Sequence, residues 1–113
     1  MARTPRDVFD HHARALAAGD LDEIVADFAD DAVMITPAGA FRGRAAIREG
    51  YARLFEDLPD AEWDVPTRVF EGDVLLLEWT AVSGAVRAVS GVDTFVFGDD
   101  GIRAQTVRYT LVR

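Results

Sequence analysis

Apolar residues near the N-terminus recur at helical spacing. Phe9 and Leu16 are seven residues apart, and His12 falls between them on the same helical face. Thr4 offers a hydroxyl cap just before a proline, and Gly19 is typical of the position after a helix. The pattern therefore predicts a first helix between Thr4 and Gly19, with one histidine on its apolar face.

The same periodicity predicts two more helices. Asp20 caps the second helix, which is expected to continue until Asp30 and Asp31. The third begins after Gly43 and ends at Pro59. The apolar stripes of these two helices consist of Leu21, Ile24, Val25 and Phe28, and of Ile47, Tyr51, Leu54, Phe55 and Leu58.

The second half of the chain alternates apolar and polar residues, or runs apolar, between turn signals. It predicts strands joined by tight turns, and hence an antiparallel meander, at residues 63–70, 74–82, 86–97 and 102–112. Pro66 indicates that the first of these is an edge strand or contains a bulge. A shorter strand, Ala32–Thr36, precedes the third helix and ends in a Pro-Ala-Gly turn.

This order of elements is that of an α+β fold, with the helices on one face of the sheet. The meander has too few strands to close on itself, so the helices must cover its free apolar face. We therefore expect one domain over residues 1–113: three N-terminal helices packed on a strongly curved antiparallel sheet, forming a cone that encloses a pocket.

Composition narrows the functional classes. The net charge of −8 and pI near 4.6 disfavour binding to nucleic acid or to anionic membrane surfaces. Without cysteine there is no disulfide, thiolate nucleophile or Cys-ligated zinc. No signal-like or membrane-spanning apolar run is present, so a cytoplasmic location is expected. Every cationic residue is arginine and asparagine is absent, which favours a bacterial source with a GC-rich genome.

Three stretches, at residues 17–37, 43–55 and 91–102, resemble the nuclear transport factor 2-like superfamily in its SnoaL-like and ketosteroid isomerase-like branch. The resemblance covers nearly the whole chain and implies a cystatin-like α+β roll. Because this fold hosts isomerases, cyclases, hydrolases, dehydratases and non-catalytic binders, it does not by itself imply one activity.

Isomerases of this branch use a carboxylate base, with a tyrosine and a protonated aspartate holding the enolate oxygen. By resemblance, the base position falls on Thr36, which cannot act as a base near neutral pH. The tyrosine donor position falls on His12, and the protonated-acid position on Asp93. Tyr51 matches a supporting tyrosine of the third helix, and Tyr109 matches a pocket aromatic on the last strand.

Asp93 is the strongest site candidate from the residues themselves. It shares a strand face with Phe95 and Phe97, so an inward orientation would place its carboxyl among apolar groups and disfavour its charged form. A bulge or strong twist would instead turn it outward. The alternation favours the pocket.

His12 has two interpretations. It is either a core histidine satisfied by a neighbour, or a proton-transfer residue paired with Asp93 or Tyr51. His11 lies about 100° around the helix, which predicts a solvent-facing side chain. We expect the hydroxyl of Tyr51 to find its partner in His12.

Two questions of strand orientation bear on the pocket. On the last strand, Gln105 and Tyr109 share a face that suits a pocket wall. On the strand at residues 74–82, either Glu78 or Trp79 points inward. Since this strand is apolar on both faces, a homodimer through the outer face of the sheet is expected.

The sequence thus predicts a pocket for a small hydrophobic, carbonyl-bearing or polycyclic molecule and cofactor-independent isomerisation, cyclisation or hydration, with no metal. His12 would transfer the proton, while Asp93 and Tyr51 would bind the developing oxyanion. The alternative is a non-catalytic ligand-binding or dimeric accessory domain, favoured by Thr36. The expected substrate-binding residues are Phe9, Leu16, Phe28, Met34, Thr36, Phe55, Phe95, Gln105 and Tyr109.

Overall fold

Three helices cover one face of a six-stranded curved sheet in the computed structural model, which describes residues 3–113. The helices and strands, in chain order, are α1 (Pro5–Ala18), α2 (Leu21–Ala26), β1 (Phe28–Thr36), β2 (Gly39–Arg42), α3 (Arg44–Asp57), β3 (Glu62–Glu71), β4 (Val74–Ser83), β5 (Val86–Gly98) and β6 (Gly101–Val112). The predicted α+β class with three N-terminal helices is confirmed.

The start and end of α1 follow from its sequence. The Thr4 hydroxyl accepts from the Asp7 amide, and the Asp7 carboxylate accepts from the Thr4 amide in return. Gly19 ends the helix in the left-handed conformation, with φ of 67°. Phe9 and His12 are both buried on the inner face, as the spacing predicted.

The predicted second helix is too long. It ends at Ala26, and β1 already begins at Phe28, so Asp30 and Asp31 lie within a strand. The reason is tertiary: the backbone carbonyl of Asp27 accepts from the Ile102 amide, which draws the chain into the sheet beside β6. The hairpin strand β2 was not predicted.

Strand order in the sheet is β2-β1-β6-β5-β4-β3. The meander from β3 to β6 is antiparallel, as predicted, but β1 pairs with β6 in parallel, so the sheet is mixed. No tight turn joins β1 to β6, which is why the turn signals could not indicate their relative direction. Pro66 lies at a register shift in the edge strand β3, so both features that it predicted are present.

The apolar core lies between the helices and the concave face of the sheet. Within residues 3–113, none of the helices has the length and apolar character needed to cross a bilayer. The sheet remains open, and the space between its concave face and the helices is only partly filled. That space is the cavity described next.

Candidate active site

A cavity of about 650 Å³ lies between the inner faces of α1 and α3 and the concave face of the sheet. Its volume is in the range of sites that bind small organic molecules. Ten of the residues proposed from sequence line it, namely Phe9, His12, Leu16, Met34, Thr36, Tyr51, Asp93, Phe95, Gln105 and Tyr109.

Two expected lining residues, Phe28 and Phe55, are not in the cavity wall. Phe28 begins β1 instead of continuing a helix, and it is fully buried beneath His12 and Tyr51 with ring centroids 5.9 and 6.1 Å away. Phe55 follows Leu54 on α3 and so points about 100° away from it. It is half-buried and lines a small separate pocket with Leu16 and Ala17 at the end of α1.

A chain of hydrogen bonds crosses the inner wall. The Tyr51 hydroxyl donates to Gln105 Oε1 at 2.6 Å and lies 3.3 Å from His12 Nε2. Gln105 Nε2 donates to Asp93 Oδ2 at 3.1 Å, and Trp79 Nε1 donates to Asp93 Oδ1 at 3.0 Å. Five side chains from α1, α3, β4, β5 and β6 thus form one buried polar network.

The hydrogen bonds from His12 to Asp93 all point the same way along this network. Because Tyr51 has one hydroxyl proton and gives it to Gln105, its oxygen must accept from His12 Nε2–H. The chain therefore runs from His12 through Tyr51 and Gln105 to Asp93, where the Trp79 indole adds a second donor. Both carboxylate oxygens of Asp93 accept hydrogen bonds, an arrangement that favours its charged form.

Burial acts on Asp93 in the opposite sense and is the larger effect. It raises the pKa of Asp93 from its ordinary 3.8 to about 7, and the hydrogen bonds from Trp79 and Gln105 only partly offset it. No cationic side chain pairs with this carboxylate among the ion pairs of residues 3–113. Asp93 is thus a carboxyl group that changes its charge near neutral pH.

His12 is neutral at that pH. Burial lowers the pKa of His12 from 6.5 to about 4, although the nearby charge of Asp27 acts to raise it. Its Nδ1 atom is buried and has no hydrogen-bond partner within residues 3–113. Burial also raises the pKa of Tyr51 well above its usual 10, so the phenol keeps its proton.

Trp79, and not Glu78, points into the cavity: Trp79 is 5% exposed, whereas Glu78 is exposed on the outer face. The apolar run at residues 74–80 left this orientation open. Strand pairing settles it, because Trp79 is opposite Gly91, two residues from Asp93 on the same face of β5. The indole also contacts Trp63 and Tyr109, with ring centroids 5.5 and 5.3 Å away.

A second cluster of polar side chains, centred on Asp27, lies outside the cavity and was not predicted from the sequence. Asp27 is 1% exposed and contacts Arg3 Nη1 at 2.9 Å and His11 Nδ1 at 2.6 Å. His11 is therefore half-buried, which corrects the prediction that it faces solvent. No group of three or more His, Asp or Glu able to hold a metal ion occurs among residues 3–113.

The mouth of the cavity is more polar and more exposed. Thr36 lies there with its hydroxyl accepting from the Ala38 amide at 3.1 Å. The Tyr109 hydroxyl donates to Asp57 Oδ2 at 3.3 Å, and burial together with the Asp57 charge raises the pKa of Tyr109 to about 12. Arg53 also belongs to the cavity lining.

Residues 9–105 match the family described as the SnoaL-like domain. A protein of unknown function with a cystatin-like fold from Methylobium petroleophilum has a TM-score of 0.74 at 21% identity, covering 96% of this chain and 77% of that one. A proposed ketosteroid isomerase from Kribbella flavida has a TM-score of 0.79 at 18% identity, covering 99% and 82%. A proposed polyketide cyclase from Sinorhizobium meliloti has a TM-score of 0.76 at 19% identity, covering 89% and 93%. At these identities the likenesses establish a shared cystatin-like fold.

Proposed function

This chain belongs to the SnoaL-like domain family, within the nuclear transport factor 2-like superfamily, and from that premise we propose that its cavity binds a small hydrophobic carbonyl compound and moves a proton on it without a cofactor. The observation that carries the proposal is the convergence of hydrogen-bond donors on Asp93, a buried carboxyl in the wall of a mostly apolar cavity.

The cavity supports this substrate class by its size and lining. About 650 Å³ accommodates a compact molecule of a few fused rings. Aromatic and aliphatic side chains form most of the wall, while the polar network occupies one inner side. A ligand with one carbonyl or hydroxyl group and an apolar body fits this distribution.

Asp93 is the proton-transfer residue in this proposal. Its carboxylate removes a proton from the carbon beside the carbonyl group: the C–H bond breaks, an O–H bond forms on Asp93, and the electron pair moves to the carbonyl oxygen. Returning the proton to another carbon of the enolate completes an isomerisation, with all atoms balanced. A base whose pKa is about 7 suits this task at neutral pH.

In this proposal Asp93 takes the proton-transfer role that the sequence analysis gave to His12. His12 is a weak base, its Nε2–H is occupied by Tyr51, and its Nδ1 is buried. Its proposed role is to hold Tyr51. The Tyr51 hydroxyl, which donates to Gln105 in this structure, would turn to the substrate oxygen as negative charge develops there.

The test is isomerisation of a 5-ene-3-ketosteroid, followed by the absorbance of the conjugated product. Asp93→Asn should lower kcat by about 10²–10⁴-fold, the usual contribution of a positioned acid–base group. Asp99→Asn removes an exposed carboxylate from the β5–β6 turn and is the matched control. Equal turnover by Asp93→Asn and wild type would end the proposal.

A non-catalytic ligand-binding domain is the second candidate. It is favoured by Thr36, which occupies the position of the family's base and whose hydroxyl is engaged by its own turn. This candidate predicts that steroid or polyketide probes bind in the cavity without turnover. Turnover that depends on Asp93 would exclude it.

For the outer face of the sheet, the proposed partner is a second copy of this chain. Val92 is 37% exposed there, and strand pairing places the exposed Glu78 on one side of it and the exposed Arg108 on the other. A two-fold axis that passes near Val92 and runs along β5 would set Glu78 against Arg108 of the partner subunit, and the reverse. Exposed apolar side chains extend this face, including Val69, Val74, Leu76 and Val96.

Charge reversal tests the dimer. Glu78→Arg or Arg108→Glu alone should weaken association by tenfold or more, since like charges would meet across the axis, and the double exchange should restore it. Gel filtration with light scattering measures the outcome. A wild-type monomer at micromolar concentration, or a double exchange no better than the single changes, would contradict this interface.

A further inference from the structure

We propose that Gly91 is a positioning residue for Asp93: the absence of a side chain at Gly91 lets the Trp79 indole lie against β5 with its N–H directed at the carboxylate. The proposal extends the role assigned to Asp93. Gly91 is the part of the sheet that lets the Trp79 indole N–H reach the Asp93 carboxylate.

The contact geometry shows why this position needs glycine. A Cβ atom at Gly91 would lie 2.5 Å from both Cδ2 and Cε2 of the Trp79 indole, and 2.6 Å from the Trp79 carbonyl oxygen. Real Cβ atoms do not approach so closely, so either the indole or the strand would have to shift. The indole has little room to do so, because Trp63 and Tyr109 contact it as well.

A β-bulge brings Gly91 to this place. Strand β5 carries one extra residue against each neighbour, between Ala88 and Gly91 opposite β4 and between Val89 and Val92 opposite β6. Within this bulge Ser90 has a positive φ of 55°. The extra residue resets the alternation, so that Ala88, Gly91 and Asp93 all face inward. The bulge that could have turned Asp93 outward thus leaves it inward and aligns Gly91 beneath Trp79.

The consequence for Asp93 is electrostatic. Trp79 supplies one of the two neutral hydrogen bonds to the carboxylate, and such a bond favours the charged form. The other titratable groups that face Asp93 are Tyr51 of α3 and Tyr109 of β6, and His12 of α1 is reached through Tyr51. Displacing the indole should therefore raise the pKa of Asp93 with these other groups in place.

The test is the carboxyl ¹³C titration of Asp93 in four proteins: wild type, Gly91→Ala, Trp79→Phe and the double variant. Each single change should raise the midpoint by about one pH unit, as expected for loss of one hydrogen bond to a charged group. The double variant should show no further rise, because Gly91 acts through Trp79. Gly98→Ala, in the same strand but against the flexible Arg103 side chain, should leave the midpoint unchanged.

A second measurement needs no change at Gly91, whose substitution also crowds the backbone. The chain has two tryptophans, so two indole N–H signals can be followed through a pH titration. The Trp79 signal should shift with the Asp93 midpoint and the Trp63 signal should not. Additive shifts in the double variant, an unshifted midpoint in folded Gly91→Ala, or a Trp79 signal insensitive to Asp93 would overturn the proposal. None of these readouts uses turnover, so a catalytic failure of Asp93 would be seen separately.

Discussion

Asp27 and Asp93 are both almost completely buried, with exposures of 1% and 6%, but their hydrogen-bond partners differ in charge. Asp27 contacts the guanidinium of Arg3 and the ring of His11, whereas Asp93 contacts a neutral indole and a neutral amide. An opposite charge compensates a buried carboxylate, while neutral donors compensate it only in part. A buried aspartate can therefore stabilise the fold in one place and carry a labile proton in another.

The positions of the two groups match this difference. Asp27 lies where α2 joins the sheet, its side chain tied to α1 and the segment before it, and its carbonyl to Ile102 of β6. Gly101 packs against that carbonyl with no room for a Cβ. Asp93 lines the cavity instead. A carboxyl group with neutral partners is thus found where a ligand can reach it.

The largest predicted effect concerns Asp93 and pH. The folded state keeps a proton on Asp93 up to about pH 7, whereas the unfolded chain releases it near 3.8. The resulting stabilisation is complete below pH 3.8 and is lost as the pH rises through 7, a change of roughly 4 kcal/mol. Urea unfolding across this range should show the free energy of unfolding of Asp93→Asn rising relative to wild type. If the free energies of unfolding of Asp93→Asn and wild type changed in parallel with pH, the raised pKa of Asp93 would be contradicted.

His12 should produce a slightly smaller effect of opposite sign. Its pKa falls from 6.5 to about 4 on folding, so it stabilises the fold above pH 6.5 and this contribution is lost as the pH falls towards 4. The change is roughly 3 kcal/mol. Between about pH 4 and pH 6.5 the contributions of Asp93 and His12 to the free energy of unfolding change in opposite directions in the wild-type protein. In His12→Gln the free energy of unfolding should decrease as the pH rises, because only Asp93 still titrates. In Asp93→Asn it should increase as the pH rises. The same slope in both variants would contradict these two pKa shifts.

Removing the charge of Asp27 should reduce stability at neutral pH. Asp27→Asn keeps the side-chain volume but weakens the hydrogen bonds with Arg3 and His11, and we expect a loss of about 2 kcal/mol in urea unfolding. Asp99→Asn, in an exposed turn, serves as control. If Asp93→Asn destabilises the protein more than Asp27→Asn at pH 8, the distinction between the two aspartates fails.

The smallest effect is expected at the cavity mouth. The hydrogen bond from Tyr109 to Asp57 is long, at 3.3 Å, and exposed. Tyr109→Phe should therefore change the free energy of unfolding by less than about 0.5 kcal/mol in thermal or urea unfolding. A loss comparable to that of Asp27→Asn would mean that the polar mouth contributes to stability as much as the buried cluster does.

The elements that sequence predicted well are those set by local signals. Thr4 and Gly19 define the two ends of α1 through hydrogen bonds with backbone groups only a few residues away. The alternation of residues around Asp93 predicts its inward orientation. The end of α2 was missed because it depends on Ile102, which is far away in sequence. Asp27 shows no sign of burial in the sequence, since Arg3 and His11 approach it only after the chain has folded.

The second feature that the sequence did not predict is which side chains of neighbouring strands face inward. Glu78 and Trp79 are adjacent, and only pairing with β5 shows which of them faces inward. The hydrogen-bond chain to Asp93 depends on that pairing, and so does the place of Gly91 beneath the indole. Aligned aromatic and glycine positions on neighbouring strands are the signal that would have found it.

We expect Asp93, buried in the cavity wall, to carry a labile proton near neutral pH. The most direct test is the carboxyl ¹³C titration of Asp93 in the wild-type protein, with Asp93→Asn to assign the signal. The structure predicts a midpoint near 7. A midpoint at the ordinary value of 3.8 would contradict the account, because Asp93 would then be a permanently charged carboxylate at neutral pH.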